Sequence, residues 1–173
     1  MDNKLVEEPL EGFVVTGIAL SETQAKVTVR GVPDKPGVAG FIFGKLAEEN
    51  VNVDMIVQSS PRQGKNTISF TVEERDLAET KRAMEKVKKE LPVEEISYDS
   101  DIAKVSIVGA GMQSHPGVAA KMFKTLGDAG INIDMISTSE IKISCAIKRK
   151  EGKKAMKVLH RAFELDKERE EKN

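Results

Sequence analysis

Asp54 and Asp134 stand in stretches that are otherwise apolar, VNVDMI and INIDMI. A carboxylate in such a strand needs a partner, because desolvating it alone is costly. An incoming ammonium group would serve, and so would hydrogen bonds to the adjacent loop; the residues leave both open. Upstream of each acid lies a Pro-Gly pair, Pro36-Gly37 and Pro116-Gly117, where a helical pattern begins. Glycine lets backbone come close to a ligand. The first turn of a helix presents N–H groups without intrahelical partners and the positive end of its dipole, which suits a carboxylate. A dipole end and an acid complement the two charges of a free amino acid. Asn52 and Asn132, just before the acids, read as turn residues.

The elements that would position these groups come from an internal repeat. Residues 34–56, DKPGVAGFIFGKLAEENVNVDMI, return at 114–136 as SHPGVAAKMFKTLGDAGINIDMI. The copies share Pro, Gly, Val, Ala, Phe, Leu, Asn, Asp, Met and Ile in register, so the repeat organises the chain. Each copy follows an alternating run, AKVTVRGV at 25–32 and AKVSIVGA at 103–110, which predicts a strand with one buried face. A helix is expected over 37–50, with Val38, Ile42, Phe43 and Leu46 on one stripe. Val118, Met122, Phe123 and Leu126 repeat that stripe. Proline suits the first turn, and Asn50 and Gly130 tolerate a left-handed stop. Strands at 52–59 and 132–139 close the two kernels.

After the first kernel, PRQG at 61–64 predicts a hairpin, 66–73 a strand, 76–91 a helix and 93–98 a strand. Asp76 is the expected N-cap and Pro92 the stop. After the second kernel comes a tighter turn near Glu140, then a strand at 142–148 and a helix from Gly152 to about 165. Ala83, Met84, Val87 and Leu91 match Ala155, Met156, Leu159 and Phe163, so the same helix face is buried twice. Strand, helix, strand, strand, helix, strand is the split βαβ plan, a ferredoxin-like α+β fold. The second unit lacks its fourth strand, while FVVTGIAL at 13–20 has no unit of its own. A vacant sheet edge is a liability, so the spare strand is expected to fill it. The first unit, 24–98, would then be nested inside the second, 13–22 plus 99–166, with a leader at 1–12 and a charged tail at 167–173.

Composition excludes several function classes. Twenty-seven basic and 28 acidic residues leave a net charge of −1, too little to draw nucleic acid or membrane. The expected first and third strands offer Val27, Val29, Ser69, Thr71, Val105 and Ile107, with Phe70 as the one ring, which is no RNA-stacking platform. The single cysteine, Cys145, allows no intramolecular disulfide and reads as core. No apolar run spans a bilayer, no signal peptide opens the chain, and a cytoplasmic setting is expected. His115 and His160 have no metal-ligand spacing around them. Gly109-Ala110-Gly111 is a partial dinucleotide loop, but Ser114 and Pro116 break it and the other copy lacks it. No catalytic residue, metal or cofactor is expected.

The βαββαβ order with a DKPG loop and an N-x-D-M strand resembles the ACT domain, an amino-acid-sensing regulatory module. VVTGIAL, AKVTVRGVPDKPG, VNVDMIVQ, KVSIVGAGMQSHPG and INIDMISTSEIKIS together resemble the C-terminal regulatory region of aspartokinase, over roughly 14–165. The resemblance implies tandem ACT domains that bind threonine, lysine or both between units and inhibit the kinase. It implies a separate β subunit working with a catalytic α subunit. It also implies site residues. In the first unit these are Asp34, Lys35, Pro36, Gly37, Val38, Ala39, Asn52, Val53, Asp54 and Gln58. In the second they are Met112, Ser114, His115, Gly117, Val118, Asn132, Ile133, Asp134, Ser139 and Glu140. The Asp34/Gln58 loop is favoured for threonine, completed by Asn132 and Ile133 of a second chain. Different polar linings imply different preferences. A homodimer is expected, because each unit leaves sheet edges and a helix-free face to cover. Two rival readings are an ACT sensor for another enzyme and a small nucleotide-binding enzyme using the Gly-Ala-Gly loop.

Overall fold

A computed structural model describes residues 14–110 and 116–163. The leader, the tail, and Met112, Ser114 and His115 fall outside that description. The chain runs through β1 (Val14–Ser21), β2 (Gln24–Pro33), α1 (Val38–Glu48), β3 (Val53–Gln58), β4 (Lys65–Glu73), α2 (Leu77–Glu90) and β5 (Glu95–Asp99). It continues with β6 (Ile102–Ala110), α3 (Pro116–Asp128), β7 (Met135–Thr138), β8 (Lys142–Lys148) and α4 (Gly152–Ala162). Two four-stranded antiparallel sheets result, ordered β3-β4-β2-β5 and β1-β6-β8-β7. The expected strands and helices are present, with ends that match or differ by up to three residues in either direction. β1 pairs with β6, from Val15↔Gly109 to Ser21↔Lys104. The second sheet thus takes its fourth strand from chain that precedes the first sheet.

Alternation along the strands builds two separate cores. Val27, Val29, Phe70 and Val72 face Ile42, Leu46, Ala83, Met84 and Val87 of α1 and α2. Val105, Ile107, Ile143 and Cys145 face Val118, Met122, Leu126, Ala155 and Leu159 of α3 and α4. Glu49, just past α1, accepts from Arg82 Nε at 3.1 Å and Lys86 Nζ at 2.9 Å and ties α1 to α2. Asn50 (φ 58°) and Gly130 (φ 72°) end the first helix of each unit in the left-handed conformation.

Two local expectations need correction. Asp76 does not cap α2 with its side chain. A 3₁₀ turn, Glu74–Asp76, leads into the helix and holds Asp76 at φ −93°, ψ 9°, away from the extended geometry a cap needs. Thr80 Oγ1 instead donates to the Asp76 carbonyl at 2.7 Å. Pro36 lies outside α1, whose N-cap is Gly37, whereas Pro116 opens α3.

The loosest helix by composition is α1. Gly40 and Gly44 are exposed, and a Cβ at either would meet nothing within 4 Å. Gly40→Ala and Gly44→Ala will each stabilise the chain by about 0.4–1 kcal/mol, by restricting the unfolded state. Urea titration will register this as a higher midpoint at unchanged slope.

Cys145 sits in the opposite condition. It is fully buried, and desolvation pushes its thiol up to about 12. A thiol reagent at neutral pH will leave it untouched in the native chain and will titrate one equivalent in denaturant.

The helix-free faces carry a second layer of burial. Gln24, Thr28, Thr71, Ser106 and Ser144 are all buried. Thr28 and Ser69 hydroxyls lie 3.4 Å apart, and those of Ser106 and Ser144 lie 2.7 Å apart. At one end these faces meet, with β2 near β6 and β3 near β7. Met55, Val57, Met135 and Ala146 form a small apolar cluster there. Part of the helix-free surface is therefore covered within one chain.

Candidate functional site

The loop between β2 and α1 shows why DKPG folds as it does. Asp34 N–H donates to the Gly64 carbonyl at 2.9 Å, and Lys35 N–H to the Pro33 carbonyl at 3.1 Å. Gly37 then takes φ 88°, which only glycine adopts readily, and turns the chain into α1. No side chain caps the helix. Val38 N–H donates to the Lys35 carbonyl at 3.4 Å, which leaves the N–H groups of Ala39 and Gly40, without a side-chain cap, to meet an anion. Asp34, Lys35, Pro36, Gly37 and Ala39 are exposed around this opening, with Val38 half-buried.

β4 links this loop to the end of β3. Asn66 Nδ2 reaches Asp34 Oδ1 at 3.5 Å, and Gln58 lies opposite Ile68 in register. Directly opposed residues share a sheet face. Gln58 therefore lies on the side of Ile68, the side covered by α1 and α2. Asn66 is buried, and its Oδ1 has no partner. It was not legible in the sequence as a site residue. A buried polar position in the strand after PRQG, replaced by Ile141 in the other unit, was the available signal.

In the second unit, Gly117 is exposed in the first turn of α3 and Val118 is fully buried beneath it. Ser139 and Glu140 are exposed at the β7–β8 turn, where Ser139 N–H donates to the Lys142 carbonyl at 2.8 Å. Asn52 and Asn132 are exposed, and Val53 and Ile133 half-buried. A cleft of about 300 Å³ brings Asp54 and Met55 beside Ser139, Lys142 and Ser144. Another of about 200 Å³ gathers Lys26, Asp99, Asp101, Asn132, Asp134 and Lys148. Among the described residues no His/Cys/Asp/Glu group is arranged to hold a metal. No helix among them is long and apolar enough to cross a membrane.

Both acids, Asp54 in β3 and Asp134 just ahead of β7 rather than within a strand, hold ammonium groups, but those of this chain's own lysines. Lys26 Nζ, on β2, donates to Asp134 Oδ2 at 2.6 Å. Lys104 Nζ, on β6, donates to Asp54 Oδ2, which also accepts from Gln24 Nε2 at 2.7 Å. Lys26 and Lys104 occupy the same place in AKVTVRGV and AKVSIVGA. The pairs are thus reciprocal, each lysine reaching the other unit's acid. Among the described residues, neither acid bonds its adjacent loop through its side chain, the other option open from sequence.

Burial alone would raise the Asp54 carboxyl, but hydrogen bonds from Lys104 and Gln24 outweigh it and hold the group below its ordinary 3.8. A depressed folded pKa gives stability that is present above the unfolded value and lost as pH falls through the folded one. The contact between the sheets will therefore loosen below about pH 4. Asp54→Asn will flatten the acid limb of a stability–pH curve, measured by urea titration between about pH 5 and 2.

Comparison with known proteins places this geometry. ACT-domain family models match residues 27–92 and 105–163. An aspartokinase of Helicobacter pylori is 50% identical over 159 residues, which cover 92% of this chain and 39% of that protein. The chain thus spans about two-fifths of the length of such curated relatives. The solved aspartokinase alpha and beta subunits provide a chain that is 49% identical with TM-score 0.81, covering 87% of this chain and 99% of that one. The regulatory subunit of Thermus thermophilus aspartate kinase is 42% identical with TM-score 0.82, covering 86% and 98%. A pair of ACT domains matching a regulatory subunit nearly end to end shows that this chain belongs to the aspartokinase family, in its regulatory part.

Proposed function

We propose that the chain is an allosteric regulator of aspartokinase that binds the end products threonine, lysine or both. On this reading the occupied state disfavours phosphorylation of aspartate by a catalytic α subunit in the cytoplasm. The observation that carries it is the start of α1 behind Gly37, which no side chain caps, with Asp34 bonded to Asn66 and Gln58 opposite Ile68 two residues along β4. The helix start takes the effector carboxylate and Asp34 its ammonium. Lys35, Pro36, Val38 and Ala39 shape the mouth, with Asn52 and Val53 at the start of the same strand as Gln58. The second unit offers Gly117 and Val118 with Ser139 and Glu140. Asn132 and Ile133 of a second chain complete the first site. Effector affinity that differs between two arrangements of the units is what shifts the kinase.

The proposed assembly is a homodimer. β3 and β7 are sheet edges, and each exposes an isoleucine, Ile56 at 51% and Ile136 at 43%. An open apolar edge invites strand pairing with another chain. Light scattering at micromolar concentration will report twice the chain mass, and a monomer with and without threonine will contradict the assembly.

Isothermal titration with threonine, lysine and NAD is the direct test of function. Threonine or lysine heat without NAD heat supports the regulator; NAD heat alone supports the small-enzyme alternative. Asp34→Ala and Gln58→Ala will each weaken threonine binding, at Asp34 by about ten- to hundredfold for a lost charge-assisted hydrogen bond. Far-UV circular dichroism will stay native in both.

A further inference from the structure

We propose that Lys26 and Lys104 are positioning residues that couple the two effector-bearing strands across the units. The inference rests on the reading above of those strands as effector-bearing. Each lysine leaves the middle of its own sheet and holds the carboxylate at the start of the other unit's strand. Asp54 follows Asn52 and Val53 directly, and Asp134 follows Asn132 and Ile133. A ligand that moves those residues moves the acid through two peptide bonds, and the acid pulls on the opposite sheet.

The surroundings make the pairs more than surface ion pairs. The lysine side chains are 18% and 15% exposed, against values of 44–75% for most lysines paired on the helices. Ala146 stands directly across from Lys104 and joins Met55, Val57 and Met135 in an apolar cluster that reduces the water that would screen the charges. Strand β3 is also pinned behind the acid, since Met55 N–H donates to Thr71 Oγ1 at 3.1 Å. Displacement at Asp54 is therefore resisted within its own sheet and passed outward. The two links are unequal. Asp54 has Gln24 as a second donor, whereas the equivalent of Gln24 beside Asp134 is Ile102. The first unit's strand is the more firmly held, so the second is the one that yields. The two links run in parallel between the sheets, and coupling through either is reciprocal.

Hydrogen exchange of the full chain tests this, with calorimetry in parallel. In the wild type, saturating L-threonine will slow exchange at both 52–58 and 132–138. Lys26→Met/Lys104→Met keeps the stems and removes the charges; slowing will then stay in one segment while threonine still binds. Asp54→Lys/Lys104→Asp reverses one link, and Gln24 Oε1, which has no partner, can accept from the new lysine. That exchange will retain slowing in both segments, which a merely local role for either residue does not predict. Slowing confined to one segment in the wild type overturns the proposal. So does slowing of both that survives the double methionine variant. No calorimetric heat from threonine or lysine in the wild type removes the receptor reading itself, and the coupling with it.

Discussion

Gly37→Val will cost the chain at least about tenfold in threonine affinity while the fold stands. The residue sits at φ 88°, where a side chain is strained, and a Cβ there would meet nothing within 4 Å. The penalty is therefore one of backbone alone, about 1–2 kcal/mol for an ordinary residue in the left-handed region and more for a β-branched one. The turn relieves that strain by rotating, which re-aims the first N–H groups of α1. A carboxylate that relied on them loses a charge-assisted hydrogen bond. Calorimetry against threonine measures the loss, and a thermal melt separates it from unfolding. Wild-type affinity in Gly37→Val would mean the helix start is not where the carboxylate lands.

Phe70→Ala will have the largest effect on stability, about 3–5 kcal/mol. Phe70 is fully buried at the centre of the first core and meets Phe43 edge-on at 5.4 Å and 67°. Truncation leaves a cavity framed by rigid strands. Cys145 holds the matching place in the second sheet, since Ile56 pairs with Phe70 and Ile136 with Cys145. The same truncation there removes one sulfur and will cost much less. Guanidinium unfolding of the two variants, followed by circular dichroism, gives the comparison. Equal losses would show that the first core does not depend on its aromatic pair.

Much of this architecture could be read from residues, because the repeat supplied each reading twice. The stripe Val38, Ile42, Phe43, Leu46 and its copy fixed the helix faces, and both left-handed stops fell where Asn50 and Gly130 stand. The surplus strand and the vacant edge also pointed to each other by counting. What pairs with Asp54 and Asp134 could not be read the same way. A lysine alternating with valines looks like a solvated position, and its partner is distant in sequence. Only the meeting of two helix-free faces puts Lys26 and Lys104 in reach. Their identical placement in the two copies was a usable clue, since paired bases facing paired acids imply exchange. Asp76 failed as a cap for a local reason, the 3₁₀ turn ahead of it, which no pattern announced.

The β1–β6 ladder has a consequence for ancestry. Ser21 stands across from Lys104, so the polypeptide leaves the second sheet and re-enters it one strand spacing away. A tight turn would bridge that gap. One in-frame deletion could thus shed the first module and leave the second with all four strands, whereas shedding the second module would need two separate truncations, one on each side of the first. Lineages that lost a module by a single genetic event should have kept the C-terminal one.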